Sequence, residues 1–345
     1  ISKGVRGVPI VACSSAVEMQ RAILHFVKEG DAVLEFGANL ADTSELICRQ
    51  VGPDGSAVFL DIVRSESMSG RTLGRDKDWI KTEYGGRSKV FEMESLGDWR
   101  SYLQPHMAER PGDHFDVMLL DLGAITGNDL YLSSFVLADE LLSTFRSNLP
   151  RVMIVKSKGL SRLGLRLIHY QRLLDGTKKL PPELVRSNEP SLIACVKVEQ
   201  YRRTIPFVVR ETDEAIEVGC HFGRTTRLVN DASRFCIGVD IGPKIIRSAK
   251  KQYPDIDFFV GDAWNTLDLL RVKNSTSPDE MGYDVVYADI GGLSGPDGYV
   301  EALTLLDSLG QSLQPRVIVI KSLCMNRLAS RLRPFWEIWN KERRQ

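Results

Sequence analysis

The sequence predicts two doubly wound α/β domains in tandem, each built on a mostly parallel sheet. Two observations carry that prediction. A block in the first half, "HFDVMLLDLG" (114–123) followed by a helical stretch and "PRVMIVKS" (150–157), returns in the second half as "GYDVVYADIG" (282–291) and "PRVIVIKS" (315–322). The strands in these blocks also read as short unbroken apolar runs, Val117–Leu120, Val152–Val155 and Val317–Ile320, rather than as alternating ones. That is the pattern of strands covered by helices on both faces, as in parallel sheets.

The remaining elements follow in the same order in both halves. "AVLEFGANLADTSELI" (32–47) and "AIEVGCHFGRTTRLV" (215–229) each give a buried strand, an acid, a glycine turn and an amphipathic helix. In the second half "FCIGVDIG" (235–242) carries Asp240 near its end and "IDFFVGDAW" (256–264) carries Asp262. The join falls near 205, which predicts a first domain over 1–204 and a second over 205–345. The second domain is short on this division. After Lys321 it has only a basic helical tail, "SRLRPFWEIWNKERRQ" (330–345), and lacks a final strand pair.

A chain of 345 residues is long enough for two cores. With 43% hydrophobic and 26% charged residues it has the make-up of a water-exposed globular protein, and no apolar run approaches the roughly 20 residues of a membrane-spanning helix. The formal net charge is zero, so no global field draws in nucleic acid or anionic lipid. Cys13, Cys48, Cys195, Cys220, Cys236 and Cys324 form no C-x-x-C pair and have no histidine at zinc spacing. They read as reduced thiols in a reducing compartment, with no metal site. The sequence starts at Ile1 rather than Met, which fits a trimmed or processed product.

In an open α/β sheet, ligands sit beyond the carboxyl ends of the strands, where the strand order reverses. The second half places an acid at each such end: Glu217 before a turn with Gly219, His221 and Gly223, then Asp240, Asp262 and Asp289. Order, spacing and residue types over most of 205–322 resemble the class I S-adenosylmethionine (SAM)-dependent methyltransferase superfamily, whose domains are Rossmann-like. The resemblance implies that Glu217, Gly219, His221 and Gly223 line the methionine part of SAM. It further implies that Asp240 takes the ribose hydroxyls, Asp262 meets the adenine amino group and Asp289 lies beside the methyl. His221 departs from the family pattern, which has glycine there, and narrows the pocket. The first half is a looser copy. Glu35, Gly37 and Asp61 keep the cofactor-binding positions, but Ala41 replaces the last glycine. Asp42 opens the following helix, where its charge repels a carboxylate. No clear adenine-contacting aspartate follows, Glu92 and Glu94 being the nearest acids.

Both halves also carry an aspartate at one strand end and a lysine at the next, Asp121 with Lys156 and Asp289 with Lys321. A lysine held beside a carboxylate can position a hydroxyl and stabilise its deprotonated form. The pairs resemble part of the Lys–Asp–Lys–Glu tetrad of FtsJ-like ribose 2′-O-methyltransferases. "VRSNEPSLIACV" (185–196) resembles that family's closing Ser-x-Glu strand and would supply Glu189 to the first domain.

Basic residues concentrate in 151–179 and 316–345, both just after the lysine strand end, and read as flanks of an RNA entrance. Trp336 and Trp339 lie in the second stretch, where they could stack bases or pack on their own domain. The leading expectation is a SAM-dependent methyltransferase acting on RNA, with the second domain binding SAM and the first recognising substrate or supporting the fold. A retired, inactive pair serving a larger protein complex is the second reading, and a small-molecule methyltransferase the third.

Overall fold

The computed structural model describes residues 7–37, 43–62, 84–109, 114–123, 131–178, 180, 189–276, 282–291 and 298–342. It divides into two compact units, one made of residues 1–165 together with 331–345, the other of residues 166–330.

The first unit is a sheet of seven strands: β1 (Ile10–Cys13), β2 (Ala32–Phe36), β3 (Ser56–Ile62), β4 (Ser88–Met93), β5 (Val117–Leu120), β6 (Val152–Lys156) and β14 (Leu332–Pro334). Their order is β14-β1-β6-β5-β2-β3-β4, and every pairing is parallel. The second unit holds β7 (Leu167–His169), β8 (Ser191–Cys195), β9 (Glu214–Val218), β10 (Phe235–Asp240), β11 (Phe258–Val260), β12 (Val285–Ala288) and β13 (Val317–Lys321). Here the order is β11-β10-β9-β12-β13-β8-β7, again all parallel. Among the described residues helices join the successive strands, as parallel pairing requires, the connection from β3 to β4 lying mostly outside them. Strand order reverses between β2 and β5 and between β9 and β12. Each unit is therefore a Rossmann-like α/β fold with its switch point at the strand that carries the glycine turn.

The apolar runs do what their lack of alternation implied. β1, β5 and β12 are buried at every position, and β6 and β13 at all but their terminal lysines. In the first unit Val33, Phe59, Val117 and Ile154 join one core cluster. In the second, Ile193, Ala215, Val285 and Val319 do the same. Each fully buried aliphatic side chain contributes about 1.5–3 kcal/mol, so these strands supply a large share of each unit's stability, together with the helix faces packed on them.

The units do not divide where the sequence alone suggested, at 204/205. The chain leaves the first unit at 165/166 and returns at 330/331. Helix α5 (Lys158–Arg166) runs directly into β7, and α13 (Leu323–Arg331) runs directly into β14. β7 and β8, which lie in the first half of the sequence, pair with each other and with β13. They supply the strand pair that the 205–345 division leaves out of the second domain. In return, Ile10 of β1 pairs with Leu332 of β14, so the tail completes the first sheet. The repeat therefore runs from β1 to β7 and again from β8 to β14, each copy giving its last strand to the other sheet.

Matched polar clamps at the amino ends of the strands support that alignment. In the first unit Arg151 donates to Asp31 Oδ1 at 2.7 Å and to the Phe26 carbonyl at 2.5 Å, while Asp116 Oδ2 accepts from Ala32 N at 2.9 Å. In the second, Arg316 bonds Asp213 and donates to the Val208 carbonyl at 2.5 Å, while Asp284 Oδ2 accepts from Glu214 N at 2.9 Å. Each clamp ties the start of three neighbouring strands together and satisfies charges that burial would otherwise penalise.

Candidate functional site

The carboxyl edge of the second sheet assembles the residues that the sequence singled out. Lys321 ends β13, Asp289 follows β12, Glu217 lies in β9, Asp240 ends β10 and Asp262 follows β11. Parallel register places these ends on one side of the sheet, Tyr287 beside Glu217 and Val239 beside Val218.

Glu217 is 2% exposed, and its Oε2 accepts a hydrogen bond from the Thr226 hydroxyl at 2.6 Å. Burial pushes its carboxyl up to about 8, against the Thr226 hydrogen bond, which pulls the other way. The turn that follows bends through the left-handed region at Gly219, His221 and Gly223, with φ of 80°, 50° and 80°. The two glycines are required by packing within the unit. A Cβ on Gly219 would lie 2.1 Å from the Asp289 carbonyl oxygen, and one on Gly223 would lie 2.5 Å from the Phe258 ring.

Asp240 is held by two backbone donors, His221 N to Oδ2 at 3.0 Å and Gly242 N to Oδ1 at 2.9 Å. Its orientation is thereby set, while each oxygen keeps a lone pair for a further donor. Asp262 accepts from Trp264 N at 3.0 Å, which folds the chain back after β11. Lys321 Nζ lies 2.5 Å from both carboxylate oxygens of Asp289, each side chain about a fifth to a quarter exposed. Sequence reasoning missed three neighbours. Phe222, Ile241 and Trp264 are 45%, 71% and 47% exposed, one beside each of three successive strand ends. An exposed large apolar side chain next to a fixed carboxylate can serve a flat, partly polar ligand. The signal was available: each lies within two residues of an acid or glycine of the turn.

The first unit repeats the arrangement in part. Glu35 is fully buried and accepts from the Thr43 hydroxyl at 2.5 Å and the Ser44 hydroxyl at 3.0 Å, and burial pushes its carboxyl up to about 7. Gly37 has φ of 76°, matching Gly219. Lys156 Nζ lies 2.5 Å from Asp121, whose side chain is only 5% exposed. Asp61 stands beside Glu92 in the β3–β4 register. Ala41 and Asp42 lie outside the described residues.

Glu189 does not stand with the second unit's lysine–aspartate pair. It sits just before β8, which runs parallel to β13 with Ser191 beside Val317 at one end and Cys195 beside Lys321 at the other. Glu189 is thus at the amino edge of the second sheet, and Lys321 and Asp289 at the carboxyl edge. The strand it precedes belongs to the second unit's sheet, whereas the sequence reading had it close the first unit's.

The basic segments are largely committed to internal partners. Arg151, Lys156, Arg316 and Lys321 make the contacts described above. Arg166 pairs with Asp307 at 3.1 Å, Lys178 donates to the Leu167 carbonyl at 3.2 Å, and Arg333 to the Leu332 carbonyl at 2.7 Å. Lys158, Arg327 and Lys341 are exposed. Lys179, Arg343 and Arg344 lie outside the described residues. Trp339 packs on the first unit's core beneath Arg21, whereas Trp336 is 55% exposed.

All six cysteines are buried free thiols, and burial raises the titration of each, that of Cys195 to about 12. Among the described residues, no group of three or more His, Cys, Asp or Glu could hold a metal ion, and no helix is long and apolar enough to cross a membrane.

Two seven-stranded parallel sheets with interleaved helices, each with acids at its switch-point edge, define a tandem Rossmann-like α/β protein. No family model and no curated protein matches the chain. Solved structures that resemble parts of it include methyltransferases. One is a putative methyltransferase from Haloferax volcanii in complex with the Trm112 activator (21% identity, 29% of this chain and 41% of that one, TM-score 0.22). Another is a TehB-like SAM-dependent methyltransferase from Corynebacterium glutamicum (19% identity, 38% and 71%, TM-score 0.27). A third is Aeropyrum pernix fibrillarin with natively bound SAM (23% identity, 28% and 42%, TM-score 0.21). The chain thus spans less than half the length of the first and third. These likenesses concern fragments, and the class rests on strand order.

Proposed function

We propose that the second unit binds SAM at the carboxyl edge of β9, β10 and β11 and serves methyl transfer to an RNA hydroxyl. The observation that carries this reading is the fixed Asp240 carboxylate, pinned by two backbone N–H groups and flanked by exposed Phe222 and Ile241. A carboxylate with both oxygens oriented and still able to accept suits the vicinal hydroxyls of a ribose, and the apolar neighbours suit a base. Asp262 and Trp264 would extend the same pocket along β11, and Glu217 would face the methionine end. SAM would supply an activated methyl group on a sulfonium.

Lys321 and Asp289 have the chemistry to orient an acceptor hydroxyl and favour loss of its proton. Asp289 keeps the ammonium in place, and the low exposure of both strengthens their field relative to water. RNA as the acceptor is supported by exposed Arg327 on the second unit, a side chain that can bind phosphate. The first unit, with its more deeply buried Asp121, reads as a support for the fold and for substrate.

The test is a calorimetric titration of SAM into the purified chain, its Asp240→Ala variant and its Asp61→Ala variant. One SAM bound, lost in Asp240→Ala and retained in Asp61→Ala, is the expected result. Folded protein that binds no SAM would overturn the enzyme assignment and leave a tandem scaffold.

A further inference from the structure

Most cations of the two basic segments have internal partners, but one helix elsewhere in the second unit carries four without an acid. Helix α10 (Pro243–Gln252) joins β10 to β11, reads Pro-Lys-Ile-Ile-Arg-Ser-Ala-Lys-Lys-Gln and contains no carboxylate. Lys244, Arg247, Lys250 and Lys251 are all exposed, and none forms an ion pair among the described residues. Lys250 Nζ lies 5.6 Å from the centre of the Phe259 ring. Asp255, the next acid along the chain, is taken by Arg227 at 2.5 Å.

The helix fixes the side on which these residues stand. Ile246 and Ala249 are buried with Phe258 in one core cluster. At about 3.6 residues per turn, Lys244, Arg247 and Lys251 fall within about 60° of one another on the opposite side, spread over about 10 Å of the axis. Nothing in the fold asks for this stripe. Arg247 is three residues from Lys244 and four from Lys251, the spacings at which like charges on a helix repel. Lys244 also sits in the first turn, where the helix dipole favours an acid.

The stripe carries no large apolar side chain, the anchor that a protein interface or a membrane surface would use. It fits a partner that is itself a row of negative charge. We infer that Lys244, Arg247 and Lys251 form a docking surface for the phosphate backbone of RNA. This rests on the RNA reading above and gives that reading a second surface. Because α10 starts three residues after Asp240, Lys244 is the end of the stripe nearest the carboxyl edge and Lys251 the end farthest from it. A strand bound along the stripe is therefore directed at the edge where Asp240 stands.

The experiment measures binding of a labelled single-stranded RNA by fluorescence anisotropy over a salt series. It compares the purified chain with its Lys244→Gln/Arg247→Gln/Lys251→Gln variant. Thermal melting and calorimetric titration with SAM should be unchanged, because the three side chains are exposed on the side away from the sheet. RNA affinity should fall about tenfold or more, and the slope of log affinity against log salt by about 2, at about 0.7 per phosphate contact on a single strand. A variant that keeps the parent's RNA affinity and salt slope overturns the inference and leaves the RNA reading standing. A folded parent that binds no RNA overturns both, and its SAM titration then reports separately on the cofactor site. Loss of binding to phosphatidylserine vesicles with RNA affinity unchanged would overturn the inference in favour of an anionic membrane.

Discussion

Replacing Glu217 with glutamine should change how the protein's stability depends on pH, and by an amount that follows from one buried carboxyl. Glu217 is 2% exposed and has the Thr226 hydroxyl as its donor at 2.6 Å. Burial moves it from 4.5 to about 8. In the unfolded chain it ionises near its ordinary value, whereas in the native state it holds its proton until about pH 8. The native state therefore binds more protons between those limits, and stability falls as pH rises through the window. Below the window neither state is ionised, and above it the loss is complete and constant. At about 1.4 kcal/mol per unit, the loss across the window is about 4–5 kcal/mol.

Glutamine keeps an oxygen for Thr226 and cannot ionise, so the variant escapes this loss. Urea unfolding of parent and Glu217→Gln at about pH 4.5 and about pH 9 measures it. The variant's advantage should grow by about 4 kcal/mol between the two conditions. An advantage of the same size at both would show that Glu217 is ionised in the native protein, and the account of a neutral acid under the turn would fail.

Two further outcomes concern the frame around the site. Gly219→Ala places a methyl 2.1 Å from the Asp289 carbonyl at a φ of 80°, and since the obstacle is backbone the variant should lose more than about 2 kcal/mol in denaturant melts. Unchanged stability would mean that the turn and the end of β12 are farther apart. Arg316→Met leaves Asp213 buried without its cation, at a cost of about 3–5 kcal/mol. The double variant Arg316→Met/Asp213→Asn should recover part of that loss, and equal losses would count against the clamp.

How much was legible beforehand depended on whether the signal was local. The repeat of "PRVMIVKS" as "PRVIVIKS" gave the parallel strands, and the acid at each strand end marked the edge where Glu217, Asp240, Asp262 and Asp289 now stand. The lysine–aspartate pairs were legible for the same reason, since a strand end has a fixed neighbour once two adjacent strands are recognised. The hydroxyl partners of the buried glutamates were missed, although Thr43 and Thr226 stand eight and nine residues after them. Nothing in the chain's periodicity says that a side chain on the next helix turns inward.

The sequence by itself determined the class of each sheet, the number of copies and which residues stand at the strand ends, because burial on two faces, turns and acids are written in runs of a few residues. Only the tertiary structure decided which sheet each end strand joins. β7 and β14 are three residues long, and their sequences, Leu-Ile-His and Leu-Arg-Pro, favour neither sheet. The available edges made the choice, β8 for one and β1 for the other. An edge is a property of two segments far apart in the chain, so its hydrogen bonds leave no trace in the local pattern of either. The placement of Glu189 at the opposite end from Lys321 follows from that pairing and could not be read without it.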